Sequence, residues 1–282
     1  MPINPIKLTN WQFEPVEQSY THKEAILYAL GLGLGRDPLD ESELPYVYEK
    51  DLRTLPTFGV TLSTLGLWVK NPDTGITWTR LVHSGQKSTF HRPLPANANV
   101  KGFARISEVW DRGAEKGAVI VVEREIKDQE SGESYCTLEQ TLMLREDGGF
   151  GGEQPPKPTV ALPERDADRV LPFATLPGQA ILYRLCGDWN PLHVDPTIAV
   201  SAGFSQPILH GYCSYGIAGL AASRAAEQPY EALHQLECQF SGPVLPGDEL
   251  VFHCWREERS VLFQAKVGDR IVLNRGRAEF KS

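Results

Sequence analysis

The chain has 282 residues, of which 41% are hydrophobic and 23% are charged, and its formal net charge is −8. That length is enough for one large or two medium domains of an ordinary globular protein. The acidic balance argues against a nucleic-acid-binding protein, because that class typically carries a basic surface. No secretory signal pattern, membrane-length apolar run or terminal Ser-Lys-Leu peroxisomal address is readable. We therefore expect a cytoplasmic protein without membrane insertion.

Five cysteines are spread through the chain without the Cys-x-x-Cys spacing of a zinc or redox site. They lie in or beside apolar segments, which is typical of reduced, buried thiols in a reducing compartment. The seven histidines form no His-Glu-x-x-His pattern. The sequence therefore predicts no metal site.

The first half of the chain offers a helix end, one helix candidate and two strand candidates. Gly31-Leu32-Gly33-Leu34-Gly35 has the wrong spacing for a nucleotide-binding loop and is typical of the end of a helix. An apolar helix is predicted over Val60 to Val69. Alternating apolar residues predict strands over Val119 to Ile126 and Tyr135 to Leu144.

A glycine- and proline-rich tract interrupts the chain near its middle. Gly148 to Gly152 is followed by Pro155, Pro156 and Pro158, and such a composition cannot continue a strand or a helix. We place a domain boundary in this tract. The predicted units are residues 1–152 and residues 153–282.

The second half begins with a compact polar motif and continues with a long helix. Tyr183 to His193 reads YRLCGDWNPLH, and it cannot form a regular helix because Pro191 lacks an N–H and biases its predecessor away from the α region. An apolar helix rich in small residues is predicted over Gly211 to Ala226, where a sheet can approach closely. Alternation predicts three further strands, over Glu249 to Trp255, Val261 to Val267 and Ile271 to Phe280.

An internal repeat relates the two halves. Ala25-Ile26-Leu27-Tyr28-x-Leu30 recurs as Ala180-Ile181-Leu182-Tyr183-x-Leu185, and Pro93-Leu94-Pro95 recurs at nearly the same offset as Val244-Leu245-Pro246. Two matches at one offset indicate a duplicated chain. No histidine follows the first copy in register, so the sequence predicts catalysis in the second half. The first half would then shape a substrate pocket, or only complete a shared core.

Asp188, Asn190 and His193 place a carboxylate, a carboxamide and an imidazole within six residues. Such a set suits acid–base chemistry, in which one group takes a proton from water and another gives one to carbon. Gly-Asp-x-Asn-Pro is also typical of a plain Asx turn, so these residues alone leave both interpretations open. Gly211 stands where the long helix begins, and a free backbone N–H there could donate to a carbonyl oxygen that gains negative charge.

The segment from Tyr183 to His193 resembles the signature of the R-specific enoyl-CoA hydratases of the MaoC-like, hot-dog-fold family, and Pro207-Ile208-Leu209-His210-Gly211 resembles its downstream element. Segments of the first half resemble the two-domain form found in peroxisomal multifunctional enzymes; they are residues 29–33, 55–60, 93–95 and 148–152. The resemblance implies an α+β double hot-dog fold, in which two curved antiparallel sheets each wrap a central helix.

The resemblance also implies an activity, the reversible syn addition of water to a trans-2-enoyl-CoA to give a (3R)-3-hydroxyacyl-CoA. Asp188 and His193 would hold and activate the water, Asn190 would position them, and Gly211 would polarise the thioester carbonyl. Which member of the pair is the base stays open, because their titrations are coupled. His210 is interpreted as a cap or a supporting partner rather than a third catalytic group.

The same resemblance suggests the substrate contacts, which are His83, Ser84, Arg112 and Phe240. Ser84 replaces the usual glycine of the family, and Arg112 keeps the positive charge of a lysine while adding a forked geometry for phosphate. No cofactor is expected, since coenzyme A enters as part of the acyl-CoA thioester substrate. The multidomain relatives favour a homodimer.

Three alternatives remain open at this point. A hot-dog thioesterase would use a carboxylate to direct water at the thioester carbonyl, although the spacing of Asn190, Pro191 and His193 speaks against it. A hydratase or dehydratase of a specialised acyl-CoA, such as a branched, dicarboxylic or steroid side-chain thioester, would share the chemistry and differ in the pocket. A non-enzymatic acyl-binding protein would retain the motif only as a relic.

Overall fold

A computed structural model describes residues 3–281, and its core is a single sheet of ten strands in which all neighbours pair antiparallel. The order across the sheet is β1-β3-β4-β5-β2-β7-β10-β9-β8-β6. The first half contributes β1 (Val16–Tyr20), β2 (Leu81–Phe90), β3 (Ala98–Asp111), β4 (Ala118–Asp128) and β5 (Ser134–Leu144). The second half contributes β6 (Arg169–Ala174), β7 (Leu233–Phe240), β8 (Glu249–Arg256), β9 (Ser260–Val267) and β10 (Arg270–Phe280). All five strands predicted from alternation are confirmed.

The two predicted sheets are joined edge to edge by β2 and β7. This seam runs from the pair Gly85 and Gln239 to the pair Thr89 and Gln235. A Cβ on Gly85 would lie 3.3 Å from the carbonyl oxygen of Cys238, so glycine permits the close approach of the two strands. The halves therefore share one sheet.

Six α-helices lie in the described part of the chain. They are α1 (Pro5–Thr9), α2 (His22–Leu32), α3 (Leu44–Val47), α4 (Gln179–Tyr183), α5 (Pro196–Ser201) and α6 (Gly211–Ala226). None of the helices within residues 3–281 has the length and apolar character needed to cross a membrane.

Helix α6 begins and ends where the sequence predicts and is the central helix of the second half. Twelve of its sixteen residues are buried, and they pack against the inner face of β7 to β10 and against α2. Small residues allow this close approach. A Cβ on Gly216 would lie only 2.6 Å from Leu32 and 2.7 Å from the hydroxyl of Tyr28.

The helix predicted over Val60 to Val69 is wrong. The chain instead forms a short 3₁₀ helix at Pro56–Thr61 and then an irregular segment before a second 3₁₀ turn, Trp68–Lys70. The Thr61 hydroxyl donates to the carbonyl of Phe58, and Ser63 and Gly66 take left-handed φ angles of 46° and 60°. Those backbone angles cannot occur inside an α-helix, so no α-helix forms over residues 60–69.

The two copies of the repeat pack against each other. Tyr28 of α2 and Tyr183 of α4 have ring centroids 5.9 Å apart, and both rings are fully buried. Helix α2 ends at Gly33, whose φ of 100° is the left-handed conformation of a helix stop. The interpretation of the glycine-rich run as a helix end is therefore confirmed.

Asp111 fixes the glycine-rich tract between the halves. Its carboxylate accepts hydrogen bonds from the backbone N–H groups of Gly113, Gly149 and Gly151, at 2.6–2.8 Å. These bonds hold the pKa of Asp111 below its usual value. The strand β5 ends at Leu144 and β6 begins at Arg169. The division into residues 1–152 and 153–282 stays a prediction.

Candidate active site

The motif that follows α4 folds as two short 3₁₀ turns around a left-handed glycine. The first turn is Arg184–Cys186, Gly187 has a φ of 115°, and the second turn is Pro191–His193. The Asn190 side chain accepts the N–H of Leu192 at 3.1 Å, and Asp188 accepts the N–H of Asn190 at 3.2 Å. The Asx turn is therefore present, and it is the local structure that aims the functional side chains inward.

His193 is buried, and its ring nitrogens have different roles. Its Nδ1 lies 2.8 Å from the carbonyl oxygen of Ile208. Because a carbonyl only accepts, Nδ1 carries the hydrogen and Nε2 keeps a free lone pair. Burial lowers the pKa of His193, while the nearby Asp188 opposes that shift. At neutral pH the ring is therefore a neutral base.

His210 supports both members of the pair. Its ring stacks on that of His193 with centroids 3.8 Å apart and an interplanar angle of 29°, and its Nε2 donates to the backbone carbonyl of Asp188 at 3.2 Å. Burial, and next to it the neighbouring His193, lower the pKa of His210 to about 3. His210 is thus a neutral, fully buried residue that positions the loop and the imidazole.

Asp188, His193 and His210 also form a cluster whose potential ligand atoms lie within 4.8 Å of one another. A metal ion needs lone pairs that converge on one point. A ring nitrogen holds its lone pair in the plane of the ring, and the two imidazoles stack with centroids 3.8 Å apart and an interplanar angle of 29°, so they do not direct their free nitrogens at one point. The geometry fits proton transfer better than metal binding.

Gly211 begins α6 beside this cluster. Its N–H belongs to the first turn, whose donors have no acceptor within the helix. A Cβ at this position would lie 3.5 Å from the ring of Phe240, which covers the glycine from β7. A carbonyl oxygen at this helix start would meet a backbone donor and the positive end of the helix dipole.

His83 and Phe240 reach the site from the two strands of the seam. The His83 ring lies edge to face with Phe240 at 4.7 Å and with Tyr212 at 5.0 Å between centroids. Its Nε2 donates to the carbonyl of Gly85 at 3.0 Å. Burial lowers the pKa of His83 to about 4, and the charge of Asp188 opposes that shift. The structure therefore brings both residues close to Asp188, the residue whose charge acts on His83.

Ser84 and Arg112 lie farther from the pair. The Ser84 hydroxyl donates to the carbonyl of Thr141 at 3.2 Å, and Arg112 places Nη1 3.1 Å from the sulfur of Met143. Met143 pairs with Val82, so Arg112 stands at the same end of β2 as His83. Neither side chain contacts the pair in the described residues, and their role as substrate contacts stays a prediction.

Two residues of this region were not found from the sequence. Tyr212 follows Gly211 directly, and Arg124 lies on the inner face of β4, close enough for its charge to affect the pKa of the Tyr212 phenol. The sequence does contain a signal for Arg124, because this arginine takes an inward-facing position of a strand predicted from alternation. Its proximity to Tyr212 depends on the tertiary fold.

The fold is that of a double hot-dog protein. A conserved protein from Mycobacterium tuberculosis described as having a double hot-dog fold is 14% identical, with a TM-score of 0.58 and 95% of each chain covered. A crystal structure of a MaoC-like dehydratase from Phytophthora capsici is 28% identical, with a TM-score of 0.85 and 98% of each chain covered.

The sequence comparisons define the family. Residues 158–274 match the MaoC like domain, and residues 18–146 match the MFE-2 hydratase 2 N-terminal domain. Enoyl-CoA hydratase ChsH3 from Mycobacterium tuberculosis is 36% identical over 267 residues, which cover 93% of this chain and 92% of the relative. The chain belongs to the MaoC-like dehydratase family, in its two-domain hydratase 2 form. It is an enzyme of the hydro-lyase class.

Proposed function

We propose that the protein catalyses the reversible hydration of trans-2-enoyl-CoA thioesters to (3R)-3-hydroxyacyl-CoA thioesters. The observation that carries the proposal is the convergence of Asp188, His193 and the N–H of Gly211 at one helix start. The family supports it, since a relative of similar length is an enoyl-CoA hydratase.

The tautomer of His193 suggests how the protons move. Its free Nε2 takes a proton from water as the water oxygen bonds to C3 of the enoyl group. The Asp188 carboxylate orients that water and stabilises the imidazolium that forms. The pair then returns one proton to C2, so its charge is the same before and after the reaction.

The remaining groups act on the substrate and the geometry. The Gly211 N–H donates to the thioester oxygen while negative charge develops there. Asn190 holds the turn through its side-chain oxygen, and its amide N–H₂ is available to position the water. Because the pair acts from one side, the oxygen and the proton add to the same face.

Coenzyme A binding is assigned to the end of the seam at Gly85 and Gln239. His83 and Phe240 line the thioester region, and Ser84 and Arg112 are proposed to contact the pantetheine and a phosphate. Arg112 is only partly buried, so its guanidinium remains available to a phosphate group. A homodimer is proposed as the working form, which light scattering in solution would test.

The cysteines support a reducing compartment such as the cytoplasm. All five are free thiols, and four of them are buried. Burial raises the pKa of Cys136, Cys186 and Cys254 to about 12, so these thiols are unreactive at neutral pH.

The direct test is to follow the loss of the conjugated thioester absorbance with trans-2-enoyl-CoAs of short, medium and long chains. Formation of the 3R alcohol by the wild type, and its loss in Asp188→Asn, would support the proposal. Release of free coenzyme A would identify a thioesterase instead. Formation of the 3S alcohol would contradict the proposed geometry, and the absence of turnover with every chain would refute the activity on simple enoyl-CoAs.

A further inference from the structure

Arg124 is a buried cation without an anionic partner. It lies on β4 between Val122 and Ile126, whose side chains face the interior, and only 8% of its surface is exposed. Its Nη2 donates to the carbonyl of Val60 at 2.7 Å, whereas its Nε is buried and makes no hydrogen bond to any described protein group. Within residues 3–281 no carboxylate lies within 4 Å of its charged nitrogens.

Such an arrangement is costly for folding alone. A guanidinium group carries five donors, and a buried charge is normally paired and fully hydrogen-bonded. Burial lowers the pKa of Arg124, and among the groups that oppose this shift Tyr212 comes first and Cys136 second. By contrast, Arg105 on the neighbouring strand is mostly exposed and pairs with both oxygens of Glu123.

The position of Arg124 relates it to the proposed site. Arg124 bonds the carbonyl of Val60, and the next carbonyl along the chain is that of Thr61. The Thr61 carbonyl lies 3.7 Å from where a Cβ on Gly187 would stand, directly before Asp188. The charges of Arg124 and Asp188 both act on the phenol of Tyr212, which is partly buried. Tyr212 directly follows Gly211, where the thioester carbonyl is proposed to bind. An acyl chain that leaves this point along Tyr212 toward Arg124 would enter the first half of the sheet at β4.

We propose that Arg124 binds an oxygen acceptor carried by the acyl chain of the substrate, a terminal carboxylate in the favoured case, beside the hydroxyl of Tyr212. This inference rests on the proposed function and deepens it by assigning a class of acyl group. A carboxylate would satisfy the unpaired Nε–H and neutralise the buried charge together. A neutral carbonyl would satisfy only the hydrogen bond.

The competing role for Arg124 is a structural clamp. Its bond to Val60 holds the Pro56–Thr61 turn against β4, and that bond alone would give the residue a purely structural role. If Arg124 is only a structural clamp, its substitution should lower kcat/KM by the same factor for all substrates. A binding site predicts a loss that depends on the end of the acyl chain.

The test compares enoyl-CoAs of equal chain length that end in a methyl, a carboxamide or a carboxylate group. In the wild type we expect kcat/KM for the carboxylate to exceed that for the methyl compound by about 30-fold. Arg124→Met should remove this preference while turnover of the methyl compound changes little. Arg124→Lys should keep part of the carboxylate preference, and Arg105→Met is the control on the outer face.

Three outcomes would overturn the inference. They are a wild type that does not distinguish the three ends, a proportional loss for all three in Arg124→Met, and a preference that Arg105→Met also removes. A preference for the carboxamide over both other ends would support a neutral oxygen acceptor as the bound group. Thermal unfolding of each variant separates loss of fold from loss of recognition.

A binding measurement keeps this inference distinct from the proposed activity. Calorimetry with saturated acyl-CoA thioesters that carry the same three ends needs no turnover. If the enzyme hydrates none of the enoyl compounds yet binds the carboxylate form about 30-fold more tightly than the methyl form, and only when Arg124 is present, the activity is refuted and the site stands. If the enzyme hydrates the methyl compounds but shows no such difference in binding, the site is refuted and the activity stands.

Discussion

The two halves of the sheet carry the same number of strands but different interiors. In the second half, the inner face packs against α6, a sixteen-residue helix of mostly small apolar residues. In the first half, the corresponding space receives a six-residue 3₁₀ turn, and the inner face of β4 carries Arg124. The halves of one duplicated chain thus pack their interiors differently, with a close-packed helix that begins at Gly211 in the second half and a short turn beside a buried arginine in the first.

The largest expected effect tests whether the chemistry belongs to the second half alone. We expect Asp188→Asn and His193→Ala each to lower kcat by about 10²–10⁴-fold, because each removes a proton-transfer group. Asp37→Asn changes the aspartate of the degenerate first copy, which is exposed and accepts only the N–H of Leu39. Steady-state kinetics of the three variants should show a loss in the first two only.

If Asp37→Asn lowered kcat as strongly as Asp188→Asn, the assignment of the chemistry to the second half alone would be wrong. Circular dichroism and thermal unfolding should show that all three variants keep the wild-type fold. A loss of kcat that is confined to the Asp188 and His193 variants, both still folded, would support the placement of the chemistry in the second half.

Acidification should destabilise both halves through His83, which is partly buried, and His210, which is fully buried. The folded-state pKa of His83 is about 4 and that of His210 is about 3, against 6.5 for an exposed histidine. The unfolded chain binds more protons below pH 6.5, so the free energy of unfolding falls as the pH falls through this window. Between pH 7 and pH 5 each residue should contribute a loss on the order of 1–2 kcal/mol.

Urea unfolding at the two pH values measures this loss. His83→Gln and His210→Gln should each make stability less dependent on pH than in the wild type. An unchanged pH dependence in both variants would show that these rings are not buried as neutral groups.

The contact between α6 and the first half can be tested at two glycines. Gly216→Ala should destabilise the protein by about 1–2 kcal/mol, because the new Cβ would clash with Tyr28 and Leu32 by more than the better helix propensity recovers. Gly219→Ala gains the same propensity, but its Cβ would lie 3.2 Å from Thr57, a milder contact. Thermal unfolding should therefore rank Gly216→Ala as the less stable variant, and the reverse order would contradict this packing.

The smallest effect is expected on the outer face of the first half. Arg105→Ala removes the paired contact with Glu123, yet the arginine side chain is 66% exposed. Water and salt screen such a pair, so the loss in unfolding free energy should stay below about 1 kcal/mol. Urea unfolding should show a larger loss in unfolding free energy for Arg124→Met on the adjacent strand, because that change leaves the Val60 carbonyl without its donor. Equal losses in unfolding free energy for the Arg105 and Arg124 variants would contradict the distinction between the outer and inner faces of the sheet.

Local sequence patterns predicted part of the fold. Alternation predicted five of the ten strands, β4, β5, β8, β9 and β10, because burial in these strands follows their two-residue period. The run from Gly211 to Ala226 predicted α6 through its small apolar residues, since the helix is buried on nearly all sides. The prediction over Val60 to Val69 failed because its apolar content was interpreted as helical, although Gly66 interrupts the run. The left-handed angles at Ser63 and Gly66 depend on how that segment packs beneath the sheet.

The site was predictable only where its residues lie close in sequence. Asp188 and His193 share one turn, so the motif reveals them together. The stacking of His210 on His193 and the place of Arg124 near Tyr212 arise from contacts between distant elements. No spacing along the chain encodes those contacts, and the tautomer of His193 became clear only from its bond to Ile208.

The seam between β2 and β7 has a consequence for how the chain folds during synthesis. It pairs Gly85 with Gln239, so it cannot form until both halves of the sheet have left the ribosome. Until then β2 is an open edge strand, a template to which another nascent chain could add. Early release of the first half would therefore favour aggregation, and slow pairing at high contact order makes the seam a late step of folding.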